Sequence, residues 1–74
     1  MKNYDEFRQK VAAKIKEIRL EKGLTQEDMD EGKFAVPLRT YQDVERARYH
    51  NVKLETIFRI AKRFGLHPKE LLDI

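Results

Sequence analysis

Residues 23–47 read GLTQEDMDEGKFAVPLRTYQDVERA, and their punctuation divides them into two short helical segments around a turn. Thr25 is a good N-cap, and Gln26, Glu27 and Asp28 after it place acidic side chains at the positive end of a helix. Met29 is the apolar anchor of this second helix, and Gly32 to Val36 form the connecting turn, with Phe34 and Val36 free to pack inward. Pro37 then opens a third helix, expected to run to about Ala47, because its fixed φ suits a first helical position. At 100° per residue, Pro37, Tyr41 and Val44 share one side of that helix. Leu38, Arg39, Gln42, Asp43 and Arg46 fall on the other, in an arc of roughly 140°. One face suits a core; the opposite face is nearly all polar, with long or hydrogen-bonding side chains.

Outward from this stretch the chain continues as helices. Asn3 with Glu6 three residues on resembles a capping box, and Tyr4, Phe7, Val11, Ile15 and Ile18 recur at three- and four-residue steps. A first helix is therefore expected over about Tyr4–Lys22, ended by Gly23. Downstream, Leu54, Ile57, Phe58, Ala61 and Phe64 form a stripe that Ile60 widens, predicting a fourth helix over Leu54–Phe64 closed by Gly65. His67-Pro68 starts a last short helix, with Leu71, Leu72 and Ile74 available to turn inward. No repeat or linker interrupts the row, so residues 1–74 are expected to form one domain. Five helices and no strand predict an all-α bundle with an extended first helix.

Composition narrows the functional classes. The chain has 74 residues, 41% of them hydrophobic, with neither cysteine nor serine. No disulfide, cysteine-based zinc site or common covalent nucleophile is available. No glycine-rich phosphate loop or paired-carboxylate motif occurs, and a domain this small has little room for a water-excluding pocket; an enzyme is not expected. His50 and His67 stand apart from any metal-spaced partner, so no metal and no cofactor are expected, and His67 is read as a helix cap. No apolar run reaches the ~18 residues that span a bilayer, and the acidic opening Met1–Glu6 is unlike a signal peptide. The expected setting is the cytoplasm, away from membranes. Charge is uneven: residues 5–31 hold six Lys or Arg against eight Asp or Glu, and residues 32–74 nine against five. A polarised surface of this kind can meet a polyanion, although many small domains share it.

The order of these pieces resembles the Cro/cI-type (XRE family, lambda-repressor-like) helix-turn-helix family. The matching segments are Ile15–Arg19, Gly23–Met29, Val44–Arg46, Leu54–Lys62 and Gly65-Leu66 before Leu71-Leu72, covering roughly residues 11–72. The resemblance implies a lambda-repressor-like domain whose helix-turn-helix spans about residues 25–47, with the third helix in the major groove of double-stranded DNA. It further implies that Gln26 contacts the DNA backbone or supports a base-reading residue, and that Arg19 and Glu45 form a partly buried ion pair. Four departures from the family pattern stand out. Asp30 occupies a position usually held by alanine, and the Gln26–Glu45 segment is one residue longer. Val36-Pro37 replaces a Ser/Thr cap, and Ala47 replaces a glycine.

On this reading Leu38, Arg39, Gln42, Asp43 and Arg46 are the base-reading candidates. Arg39 suits guanine, Gln42 adenine, and Leu38 a thymine methyl. Asp43 is awkward beside a polyanion unless it accepts from a cytosine amine or orients Arg39 or Arg46. Gln26, Thr40, Arg48, Asn51 and Lys53 are the backbone-contact candidates, with Arg46 and Tyr49 beside them in the basic loop. The blander readings are a solvated helix face and a solubilising loop, with Tyr49 on the core edge; the run Glu27–Glu31 reads as helix solvation. Few base contacts per monomer imply a homodimer, with Ile60, Leu66, Leu72 and Ile74 as interface candidates and the first-helix extension through Tyr4 and Phe7 as second choice. No small-molecule ligand is evident. The expected function is sequence-specific transcriptional regulation, and the alternative is an antitoxin-like or adaptor protein-interaction module that keeps the fold without base readout.

Overall fold

A computed structural model describes residues 3–48 and 51–74. Its order is α1 (Tyr4–Glu21), a 3-10 turn (Glu27–Asp30), α2 (Leu38–Glu45), α3 (Leu54–Phe64) and α4 (Pro68–Leu72). Among the described residues there is no strand. Ile15, Met29, Tyr41, Ile60 and Leu71 are completely shielded from solvent, and Val36 nearly so. These six come from all four helices, the 3-10 turn and the connection before α2, so one core joins every part of the chain.

Local chemistry sets most boundaries. The Asn3 Oδ1 accepts from the Glu6 backbone N–H at 2.9 Å and starts α1. At α4 the Lys69 N–H donates to His67 Nδ1 at 3.1 Å, while Glu70 Oε2 accepts from the His67 N–H at 2.7 Å. The first cap is single and the second reciprocal, and both satisfy donors a helix cannot pair internally. Three helices then end in the same turn. Just past each helix a backbone N–H donates to a carbonyl five residues back: Leu24 to Arg19, Arg48 to Asp43, Leu66 to Ala61. This closure needs a left-handed residue just before the donor. Gly23 and Gly65 fill that place at φ 69° and 75°, but at the end of α2 it is Ala47, at φ 54°.

Two expectations change here. The second helix is a single 3-10 turn, so the described chain has four α-helices where five were expected. Thr25 and Asp28 do exchange hydrogen bonds, the Thr25 N–H to Asp28 Oδ2 at 2.8 Å and the Asp28 N–H to Thr25 Oγ1 at 3.1 Å. These backbone and side-chain bonds from Thr25 hold the Asp28 carboxyl below its ordinary pKa. The start is therefore sound, and what stops the helix is the return of the chain. Gly32 takes φ 84° and the Val36 N–H donates back to the Met29 carbonyl at 2.8 Å, leaving room for four residues.

Pro37 also lies one position outside α2. Its ψ of 137° is extended, and it serves as the N-cap. Proline has no hydroxyl or carboxylate to cap with, and Asp30 supplies one from a distance: its Oδ2 accepts from the Leu38 N–H at 3.3 Å. Phe34, from the same turn, packs edge-on against Phe58 of α3, with ring centroids 6.1 Å apart.

Candidate nucleic-acid interface

The site is built on α2, eight residues long and buried through Tyr41 and Val44. So short a helix is marginal by itself and depends on what holds it. The principal tie is Glu45. Arg19 Nε donates to Glu45 Oε2 at 2.6 Å and Arg19 Nη2 to Oε1 at 3.3 Å, a forked pair almost wholly removed from solvent. The third guanidinium nitrogen, Nη1, donates to the Leu24 carbonyl at 2.8 Å. With every arm committed, this guanidinium fixes α2 against the end of α1. Burial alone would raise the Glu45 carboxyl; the hydrogen bonds from Arg19 and Gln26 outweigh it and hold the group below the ordinary glutamate range. The Tyr41 hydroxyl lies close enough to the same carboxylate to lower it further, yet makes no hydrogen bond of good geometry. Burial, with the Glu45 charge beside it, pushes that hydroxyl far above the normal tyrosine range. The Glu45 hydrogen bond raises the Arg19 guanidinium in turn, against the opposing effect of burial.

The tie continues toward the exposed face. Gln26 Nε2 donates to Glu45 Oε1 at 3.1 Å, and Gln26 Oε1 accepts from Gln42 Nε2 at 3.1 Å. Arg19, Glu45, Gln26 and Gln42 therefore form one continuous relay from the core to the polar face of α2. Both ends of the Gln26 amide are occupied within the protein. In this geometry Gln26 supports the Gln42 side chain.

Arg39 and Arg46 stand exposed, while Leu38, Gln42 and Asp43 are half-buried. Asp43 sits at the edge of the face nearest α1, where it lines a groove together with Arg8. Thr40, Asn51 and Lys53 come together on the walls of an open groove of about 640 Å³ between the starts of α2 and α3. Arg48 is exposed and outside that groove; Gln26 is half-buried, also outside it, and committed to the relay. Tyr49 and His50 lie outside the described residues. Among the described residues no group of acidic or histidine side chains could hold a metal ion, and no helix is long and apolar enough to cross a membrane.

The C-terminal interface candidates divide. Ile60 is completely buried, which removes it from any surface. α4 packs on α3, and Ile60 and Leu71 belong to the same core. Leu66 is partly buried against that core, whereas Leu72 and Ile74 are each 41% exposed.

A 3-10 turn and a short polar-faced helix, clamped together through Glu45, match a known pattern at the level of sequence as well: a helix-turn-helix family model covers residues 15–71. The chain belongs to the XRE, Cro/cI-type helix-turn-helix family. No curated protein and no solved structure matches it. The matched span takes in the whole relay and the loop through Lys53, and leaves the first eleven residues of α1 outside. As an XRE-family member the protein carries a DNA-binding module of a kind not usually enzymatic. What sequence reasoning missed in this XRE domain is Asp30 as the cap of α2. The signal was present in two coincident departures, an acidic residue gained and a capping residue lost, but nothing in linear spacing connects positions 30 and 38.

Proposed function

We propose that this XRE-family protein is a sequence-specific transcriptional regulator that lays α2 in the major groove of double-stranded DNA. Arg39, Gln42 and Arg46 would read bases with Leu38 beside them, and Thr40, Arg48, Asn51 and Lys53 would hold phosphates. The observation that carries the reading is the relay ending at Gln42. A solvated helix face needs no orientation, but a base-reading amide does, and Gln42 is aimed by a partner that is itself anchored to a buried ion pair. A single short helix offers few base contacts, so a two-fold dimer on a pseudo-palindrome is part of the proposal, with half-sites about 34 Å apart.

Selection from random duplex DNA, followed by titration of wild type and Arg39→Ala at two salt concentrations, tests it. The expected result is an enriched palindromic motif that the variant binds at least about tenfold more weakly. If no motif emerges and Arg39→Ala binds like wild type, base readout is wrong and a protein-interaction module takes its place.

A further inference from the structure

The N-terminal turns of α1, the last turn of α2 and the first residue of α3 enclose a second groove of about 200 Å³, which shares Val44 and Val52 with the groove between the starts of α2 and α3 and takes in Asp43 from the edge of the polar face. Its apolar lining includes Tyr4, Phe7, Leu54 and Leu72, of which Leu54 is 85% exposed, more than any other large apolar side chain described. Its charged members are Arg8 and Asp43. Arg8 reaches Asp5 with Nη2 at 3.1 Å, but its Nε is buried with no hydrogen-bond partner. Asp43 is half-buried and has no ion pair among the described residues.

We infer that this groove is the surface on which a second copy of the chain docks, with Arg8 of each protomer meeting Asp43 of the partner subunit across a two-fold axis. The inference rests on the dimer reading above. A symmetric interface must be complementary to itself, so it needs both members of any ion pair on one patch. This patch has one cation and one anion around an apolar centre, the usual layout of an interface with a dry core and a polar rim. A second copy rotated by 180° brings a carboxylate to each Arg8, beside the Asp5 it already holds, and a guanidinium to each Asp43. The occupant also explains the Asp43 that is awkward beside phosphates, because its charge is then consumed by the partner. Position supports the same occupant. The groove wall is the end of α2, so an interface there sets the distance and angle between the two reading helices directly.

Sedimentation equilibrium tests the surface, with circular dichroism as the check on folding. Wild type, Arg8→Asp, Asp43→Arg and Leu54→Glu are measured singly, and the two charge reversals also as an equimolar mixture and combined in one chain. Each single variant is expected to weaken self-association by at least about tenfold. The mixture is expected to recover it, since in the mixed dimer positions 8 and 43 again pair one acid with one base at both places across the axis. Leu54→Glu is a substitution at a largely solvated helix start, so it keeps the fold and reports on assembly alone. Variants that dimerise as tightly as wild type would place the interface elsewhere and leave the dimer reading standing. Reversals that are rescued in one chain but not by mixing would show a pair within the protomer and overturn the surface. A wild type that stays monomeric, free and on its selected DNA, would overturn the dimer reading and this surface together.

Discussion

α2 and α3 finish in the same hydrogen-bonded turn and otherwise share little. α3 runs eleven residues, buries Ile57, Ile60, Ala61 and Phe64, and is closed by Gly65. α2 runs eight, buries Tyr41 and Val44, starts at a proline without a capping side chain, and is closed by Ala47 in a left-handed conformation. α3 starts at Lys53, also without a side-chain cap, whereas α2 is held from elsewhere in the chain: a cap from Asp30, an anchor from Arg19, an aligned amide from Gln26. The difference shows two ways of holding a helix. Apolar burial holds α3 along its length and tolerates small rotations, because dispersion and hydrophobic contacts are non-directional. Directional polar bonds hold α2 at few points and fix its rotation about its own axis, the variable that decides which side chains face a DNA groove.

Breaking the largest of those bonds should have the largest effect. Glu45→Ala leaves the Arg19 guanidinium buried without its counter-charge and is expected to cost about 3 kcal/mol, a large share of the stability of so small a domain; urea unfolding measures it. Leu20→Ala in α1, an exposed position outside either groove, is the control and should change little. The pH dependence sharpens the point. The Glu45 carboxyl titrates lower in the folded than in the unfolded chain. Its contribution is therefore fully present above the unfolded value of about 4.3 and is lost as pH falls through the folded value. Acid titration of unfolding free energy should show this loss in wild type, and Glu45→Gln should flatten it. An unchanged acid limb in the variant would mean that the carboxylate is not a stabilising group.

Exchanging the two turn residues tests the shared closure. Gly65→Ala is expected to destabilise by about 1 kcal/mol, because a Cβ in the left-handed region is strained. Nothing lies within 4 Å of where that Cβ would be, so the cost is backbone strain alone. Ala47→Gly should do the reverse, stabilising by up to about 1 kcal/mol. Thermal melts of the pair should move in opposite directions; movement in the same direction would show that the two ends are not equivalent.

The smallest effect is expected at the borrowed cap. Asp30→Ala should lose about 0.5 kcal/mol, at the low end for capping side chains given the length of its bond to Leu38. It should also raise the amide exchange rate of Leu38 selectively. No change there would mean that Pro37 alone is enough to start α2.

The contrast between the helices also marks how far the sequence could be interpreted. Asn3, Gly23, Gly65 and the His67-Pro68 start were visible because each acts within a few residues of itself. The Tyr41/Val44 face followed from periodicity alone, and Arg19 and Glu45, paired by family resemblance, stand 2.6 Å apart. The four-residue 3-10 turn was not visible, because a return bond from Val36 to Met29 sets its length and propensity does not. Ile60 was assigned to a surface since a helical wheel shows the breadth of a stripe and not the number of neighbours that share it. The wheel makes Gln42 a base-reading candidate by its position alone; its bond to Gln26 spans sixteen residues and needs the fold to be seen.

That bond carries a consequence for how such a protein could change its target. If Gln42 alone were replaced to prefer another base, Gln26 would lose the donor to its carbonyl oxygen while its amine stayed bound to Glu45. The new side chain would arrive unaligned, next to an amide built for its predecessor. On the base-readout reading proposed above, positions 26 and 42 form a two-letter word, and a lineage drifting toward a new operator would have to rewrite both letters, either of which alone spells something less legible than the original.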